Sequence, residues 1–356
     1  MHDLQSIWIK GQMWDQVTLS YLGSLPSLTA LALENGWSHV SYLPRAECVG
    51  RPFASLQHLL VSIAHSEGLS VLAHIDPIAL ETVTIYWEYL FAYTDASGIV
   101  IQQYLEECAH FGQLKHFAAV LDPAMEKRIG DKSLPPGHQH RLRGFARSNE
   151  YLRPVLALTS LITLEIVIDV VFQLNNRFLR ELAQKLPHLE CLILTPSSRT
   201  EYFIDEVPSI LDDDDDYDED NPELPDYLPT LDGLLLLVKG CPKLATLKLA
   251  VRSAFSPDVR DLKVRQKGGP HTMELWATPL DPEIPDRVFA EFFARAFPAL
   301  RDFQVALPSY SGPASAVYEK MTPDAARSRW STFLEDLNGS RGGDFRGQLI
   351  EQQTRL

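Results

Sequence analysis

Pro242-Lys-Leu244-Ala-Thr-Leu247-Lys-Leu249 carries the pattern Pro-x-Leu-x-x-(Leu/Phe)-x-(Leu/Val), which recurs along the chain and indicates its fold. Three more copies begin at Pro26, Pro187 and Pro298. The last two apolar residues of each copy are two positions apart, so they point to the same side of a short strand, and the first fills the turn before it. Each copy therefore predicts a strand with one apolar face.

Looser copies of the pattern fill the intervals and set a period. They begin at Leu4, Leu56, Leu80, Leu114 and Leu161. Successive anchors lie 24, 28, 24, 34, 47, 28, 55 and 56 residues apart, and most steps are near the period of a leucine-rich repeat or twice that. A single unit cannot bury its apolar face alone, so neighbouring units stack.

Helices are predicted before the strong copies. Residues 14–24, 175–186, 228–240 and 285–297 carry apolar side chains at three-to-four spacing, and each segment then meets a proline, which cannot continue a helix. Residues 95–111 predict a further helix with Asp95 as its N-cap. The predicted fold class is α/β: an irregular leucine-rich-repeat solenoid, or horseshoe, with parallel strands on the concave face and helices on the convex face.

The irregular regions predict the domain boundaries. The solenoid is expected over residues 1–308, with a basic loop inserted at 122–153 and an acidic, disordered insertion at 197–226. Residues 251–281 fit either a strand pair or a degenerate repeat. Residues 309–356 predict a C-terminal helix, at 323–337, and a flexible tail from Gly339.

Composition excludes several classes of function. The chain has 356 residues and a net charge of −15, so it lacks the basic surface that nucleic-acid binding needs. No apolar run is long enough to span a membrane, and the first residues do not resemble a signal peptide. Cys48, Cys108, Cys191 and Cys241 form no CxxC pair, which favours a reducing compartment, the cytoplasm or nucleus.

The search for catalytic and metal-binding motifs gives weak candidates. His138 and His140, with His110 and His116 farther off, could suggest a metal, but a solvated loop is the favoured interpretation because no carboxylate or thiolate accompanies them. The pair formed by His74 and Asp76 has no nucleophile in a recognisable motif beside it, so we interpret it as a helix end followed by Pro77. We therefore predict no catalytic residue, no metal and no cofactor.

Two further features leave alternatives open. The acidic run at residues 212–220 is interpreted as a solvated linker, or else as a contact for a basic partner or for the chain's own basic loop. At the other end of the chain, Leu4, Ile7, Trp8 and Ile9 form a first repeat without a polar cap. Either a preceding segment or another chain covers this end, or the repeat frays.

The candidate site is the row of strand side chains that alternate with the inward leucines, because these point to the concave face. The middle positions are Trp8, Ala32, Leu60, Thr84, Ala118, Glu165, Ile193, Lys248 and Gln304, and the flanking positions include Tyr86, Val167, Thr195, Arg252 and Asp302. The residues predicted to bind a protein partner are Trp8, Leu60, Thr84, Tyr86, Glu165, Ile193, Lys248 and Gln304. The alternative is a surface covered by the chain's own loops.

The repeats and the acidic insertion resemble the leucine-rich-repeat portions of fungal F-box proteins, notably those of mushroom-forming fungi. The resemblance spans roughly residues 4–307 and implies substrate recognition in an SCF-like ubiquitin ligase, without catalysis by this chain. In that family an N-terminal F-box recruits a Skp-type adaptor and a cullin. This chain opens at a repeat strand and has no Leu-Pro-x-Glu segment, so adaptor binding is expected only if an F-box precedes it. The alternative functions are a stand-alone scaffold or inhibitor and, more remotely, an enzyme with its site in an insertion.

Overall fold

The computed structural model describes most of the predicted repeats. The described residues are 3–10, 16–34, 53–63, 67–73, 75, 79–87, 96–121, 145–168, 170–196, 228–251, 253, 268–277, 280, 284–306, 323–341 and 345–350. They divide into two compact units, Met1–His140 with Glu150–Ile168, and Arg141–Asn149 with Asp169–Leu356. The single continuous solenoid over residues 1–308 stays a prediction.

The first unit is built from parallel strands that follow the chain order. Its strands are β1 (Ser6–Lys10), β2 (Ala30–Glu34), β3 (His58–Ile63), β4 (Thr82–Trp87), β5 (His116–Leu121) and β7 (Thr163–Ile168). Each pairs in parallel with the next. Its helices are α1 (Gln16–Gly23), α2 (Glu67–Ala73) and α3 (Ala96–Cys108), and a 3-10 helix, Asn149–Ala157, leads into β7.

The second unit repeats this arrangement. Its parallel strands are β9 (Cys191–Pro196), β10 (Thr246–Val251), β11 (Thr272–Ala277), β12 (Asp302–Ala306) and β13 (Arg346–Ile350). Its helices are α4 (Asn176–Lys185), α5 (Leu231–Gly240), α6 (Asp286–Ala296) and α7 (Pro323–Arg341). Two short strands, β6 (Phe145–Ser148) and β8 (Val170–Gln173), form a separate parallel pair. The predicted α/β architecture with parallel strands is confirmed.

A turn that precedes seven of the strands explains the sequence pattern. The amide of the leucine two positions after each proline of the pattern donates to the carbonyl oxygen of the residue just before that proline. These bonds are Leu28 to Leu25 at 3.3 Å, Leu189 to Leu186 at 3.1 Å, Leu244 to Cys241 at 3.0 Å and Leu300 to Phe297 at 3.1 Å. The same turn forms at Leu56, Leu114 and Leu161, although no proline stands two positions before them. The buried leucine is therefore common to these turns, whereas the proline is not.

The inward strand residues form the core together with the helices. In the second unit, the Phe303 ring of β12 lies 5.1 Å from the Phe293 ring of α6 and 6.0 Å from the Phe333 ring of α7, measured between ring centroids. All three side chains are fully buried. The helices therefore cover the leucine side of these strands, and the alternate side chains lie on the opposite side of the sheet.

The predicted helices are confirmed, with small shifts of their ends. The helix predicted at residues 323–337 continues to Arg341. The flexible tail is wrong for the residues of β13, which pair with β12. The basic loop is wrong for residues 145–153, which form β6 and most of the 3-10 helix. Helix α2 ends at Ala73, directly before the helix end predicted at His74 and Asp76.

The described part of residues 251–281 contains the repeat strand β11, which lies between β10 and β12 and is parallel to both. Residues 254–267, which the strand-pair alternative also needs, lie outside the described residues. The core residues of β11, Met273 and Leu275, are fully buried. Asp95, the rest of the basic loop and the acidic insertion at 197–226 lie outside the described residues.

Candidate functional site: the open face of the parallel strands

The middle positions predicted from the sequence form one continuous row in the first unit. Backbone register pairs Trp8 with Ala32, Ala32 with Leu60, and Leu60 with Thr84; the row continues through Ala118 to Glu165. Trp8 is 67% exposed and the other five are half-buried. We call this set the first-unit row.

A second row crosses the other unit. Ile193 pairs with Lys248, Lys248 with Glu274, Glu274 with Gln304, and Gln304 with Gln348. Glu274 and Gln348 were missed in the sequence because their strands lack the repeat pattern. Their only sequence signal is alternation, with Met273 and Leu275 on either side of Glu274. We call this set the second-unit row.

Burial shows that the rows lie on the accessible side of the strands. Thr84 is half-buried, whereas its strand neighbours Val83 and Ile85 are completely buried. The same contrast holds in the second unit for Lys248, between the buried Leu247 and Leu249. The predicted strand parity is therefore correct along both rows.

The first-unit row is uncharged from Trp8 to Ala118 and ends at the Glu165 carboxylate. Near its other end, the Lys10 ammonium lies 3.5 Å from the Glu34 carboxylate and 5.7 Å from the centroid of the Trp8 ring. A cation at this distance attracts an indole by about 0.5–1 kcal/mol at an exposed site. The row thus offers apolar and hydroxyl groups between charged ends.

The second-unit row is polar and holds an organised ion pair. The Lys248 ammonium lies 2.7 Å from the Glu274 carboxylate, and the Trp276 indole N–H donates to the same carboxylate at 3.1 Å. Glu274 is only 14% exposed at its side chain, so the carboxylate is held in place by two donors. A partner on this row would meet hydrogen-bonding groups in fixed positions.

The flanking positions differ between the units. Tyr86 and Val167 of the first unit are half-buried, next to the row. In the second unit Thr195 is buried, as are Trp276 and Ala306, which pair in register at the same level of the sheet. These three flanking side chains of the second unit are therefore closed to a partner, unlike those of the first unit. Asp302 is exposed, and Arg252 lies outside the described residues.

Cysteine and histidine groups supply no reactive centre among the described residues. Burial raises the pKa of the Cys241 thiol to about 11, and its Sγ donates to the Leu186 carbonyl oxygen at 3.3 Å. The thiol is therefore protonated and structural near neutral pH. His116 shares a hydrogen bond of 3.1 Å between its Nδ1 and the Thr163 hydroxyl.

No group of three or more metal-ligating side chains occurs within the described part of the chain. His110 is exposed, whereas His138 and His140 lie outside that part. The pair formed by His74 and Asp76 also lies outside it. A metal site is therefore neither indicated nor tested at the histidines of the basic loop.

The fold and the rows together define an α/β protein of parallel strand and helix units with an accessible strand face. No protein-family model matches the sequence, and no curated protein matches it. None of the helices described in the structure is long and apolar enough to cross a membrane.

Proposed function

We propose that the chain is a non-catalytic protein-binding module whose contact residues lie on the first-unit row and on the second-unit row. One observation carries this proposal. On successive strands, side chains of different chemistry lie in register on the accessible face, while the residues that alternate with them are buried in the core. Such a row combines aromatic, aliphatic and fixed polar groups, which is the composition of protein interfaces. Trp8, Leu60, Thr84, Tyr86, Glu165, Ile193, Lys248 and Gln304 are the residues proposed to contact the partner.

The proposed biological role is substrate recognition within an F-box type ubiquitin ligase, in the cytoplasm or nucleus. The support is the resemblance of the Pro-x-Leu repeats, and the horseshoe shape belongs to the same proposal. In this role the chain brings a substrate close to partner enzymes, and proximity is its contribution to the reaction. Contact with a Skp-type adaptor and a cullin belongs to the proposal only for a product that also contains an F-box.

The binding surface is tested by Thr84→Arg and Ile193→Arg, one in each row. Both side chains are half-buried at the accessible face, so an arginine can extend to solvent without entering the core. Partners are first identified by cross-linking to the wild-type chain in an extract of its source organism. We expect both variants to keep the wild-type melting temperature. We expect each to capture those partners at least about tenfold more weakly, because each arginine blocks a central contact.

The matched control is Gln184→Arg, which places the same side chain on the exposed side of α4. Capture that survives both row variants moves the site to the loops and refutes the proposed surface. The ligase role has its own test, because translation of the genomic sequence upstream of Met1 shows whether an in-frame Leu-Pro-x-Glu segment exists. Its absence, together with no adaptor in the captured material, leaves a stand-alone scaffold or inhibitor.

A further inference from the structure

Strand β1 is the edge of the first unit's sheet, and its core residues are less buried than those of every neighbour. Among the described residues β1 pairs with β2 alone. Leu4 is 37% exposed, whereas the corresponding Leu28 of the next repeat is 1% exposed. Ile7 and Ile9 are half-buried, although their register partners on β2 are fully buried. The hydrophobic core of this unit therefore opens at β1.

The backbone of β1 also has hydrogen-bonding groups directed away from the sheet. The carbonyl oxygen of Gln5 accepts hydrogen bonds from the amides of Thr29 and Ala30 in the next repeat, at 2.8 Å and 3.0 Å. Because successive residues of a strand direct their amide and carbonyl groups to opposite edges, Ser6, Trp8 and Lys10 direct theirs to the outer edge. An apolar edge with such groups is a template for another strand.

We propose that this edge binds the same edge of a second copy of the chain, as an antiparallel pair of β1 strands related by a twofold axis at Trp8. In this register Trp8 is opposite Trp8 of the second copy, and Ser6 is opposite Lys10 of the second copy. These are the residues whose backbone groups point outward, so three opposed pairs exchange about six hydrogen bonds. A twofold axis at Ser6 or at Lys10 leaves fewer opposed pairs within the strand.

Side-chain parity supports the same register. Ile7 comes opposite Ile9 of the second copy on the core side of the sheet, so the two open cores close on each other. The indoles meet on the accessible side, where Trp8 is exposed. The sequence Ile7-Trp8-Ile9 is thus complementary to itself when read antiparallel, which is what an isologous interface requires.

Charge does not oppose a second copy at this edge, in spite of the net charge of −15. The sole charged residue within β1 is Lys10, which is already paired with Glu34. In the proposed register it is opposite the neutral Ser6, so no like charges are directly opposed. This inference uses the edge of the sheet and does not rest on the proposed partner-binding function.

The test is the mass of the purified chain in sedimentation equilibrium, followed by two kinds of variant at Trp8. We expect the wild-type chain to approach twice its 40.1 kDa mass as its concentration is raised through the micromolar range. Trp8→Glu places two carboxylates directly opposite each other and is expected to weaken dimerisation at least about tenfold. Ile99→Glu is the matched control, because Ile99 is an exposed apolar residue on α3, at 45% exposure, outside the edge.

A cross-link tests the register itself. Directly opposed residues of an antiparallel pair lie within the Cα distance that a disulfide spans. Trp8→Cys is therefore expected to give a covalent dimer on mild oxidation, and Ile99→Cys is expected to behave like the wild type. A chain that stays monomeric at about 200 µM, a dimer unaffected by Trp8→Glu, or equal cross-linking of both cysteine variants would each overturn the proposal.

Discussion

Replacement of Arg341 by methionine is expected to destabilise the C-terminal part of the second unit. Arg341 is the last residue of α7, and its guanidinium donates to the carbonyl oxygens of Leu300, Phe293 and Phe297 at 2.8, 2.8 and 2.7 Å. Two of these carbonyls belong to the C-terminal end of α6, where a helix leaves acceptors unsatisfied and favours a cation. Burial lowers the pKa of Arg341 below its usual value, but the side chain stays charged at neutral pH.

The size of this loss of stability depends on whether each carbonyl oxygen keeps another hydrogen-bond donor when Arg341 is replaced. The carbonyl oxygen of Phe293 also accepts from the Phe297 amide, and that of Phe297 accepts from the Leu300 amide. Within the described residues the Leu300 carbonyl has Arg341 as its donor, so it loses its partner at a cost of about 1–3 kcal/mol. Stacking on the Phe345 ring, 5.0 Å from the guanidinium carbon, adds about 0.5–1 kcal/mol. The hydrogen bonds to Phe293 and Phe297 contribute less, because these carbonyls keep their other donors. Together, these contributions give an expected loss of about 3 kcal/mol in the free energy of unfolding.

Differential scanning calorimetry and hydrogen exchange of the α6, α7 and β13 amides measure this loss. For a unit of this size, about 3 kcal/mol lowers the melting temperature by about 6–12 °C. Arg327→Met is the control on the same helix, since the Arg327 side chain is 55% exposed and its ion pair with Asp324 is 3.7 Å long. That variant should change stability by less than about 0.5 kcal/mol. Equal effects of the two substitutions would refute the capping role of Arg341.

Two further predictions concern packing and pH. Gly240→Ala in α5 is expected to destabilise the chain by about 1–3 kcal/mol in urea unfolding. The reason is that a Cβ at Gly240 would lie 2.6 Å from the Cβ of Ala183 and 3.1 Å from the Ala183 carbonyl oxygen. Gly339→Ala in α7 should instead stabilise the chain by about 0.5–1 kcal/mol, because nothing lies within 4 Å of a Cβ there. The second concerns Glu81, whose pKa is lowered by its hydrogen bond to Lys115, 2.9 Å away. Because the folded pKa lies below the ordinary value of 4.5, the pair stabilises the fold above that pH and loses its effect as pH falls through the folded pKa. Glu81→Gln should therefore lower the melting temperature at pH 7, by a difference that shrinks as pH falls below 4.5, and a pH-independent difference would contradict this reasoning.

Much of the fold could be predicted because the decisive contacts are local. The turn bond from Leu244 to Cys241 joins residues three apart, and the strand that follows takes its parity from the spacing of Leu247 and Leu249. Stacking then copies this register from one repeat to the next. The first-unit row follows from the same parity, which is why its positions could be listed without coordinates.

Strand β11, which the sequence left undecided, and β13, which it missed, depend on tertiary contacts that no short pattern records. Strand β11 is preceded by Gly268 and Gly269, with φ of 98° and 114°, a backbone conformation that favours glycine. By the register of β10 and β11, Gly268 stands where the preceding repeat has Pro242. In β13, Gly347 pairs with Phe303 at a core position of the repeat. A Cβ at Gly347 would lie 3.1 Å from a Leu334 methyl group of α7. The helix occupies the space of the missing side chain, so the repeat's apolar signal is absent.

The same contacts explain why strand β1 of the first unit and strand β13 of the second unit differ in chemistry. At β13 helix α7 lies against the strand, and its Asn338 side-chain oxygen accepts a hydrogen bond from the Gly347 amide at 3.1 Å, although Leu349 stays half-buried. At β1 the described residues supply no equivalent helix, and Leu4, Ile7 and Ile9 stay partly exposed. Since stacked units bury their apolar faces only against a neighbour, an end without a cap gains free energy from any strand that closes it. That difference is why we assign association to the β1 edge and partner recognition to the rows between the ends.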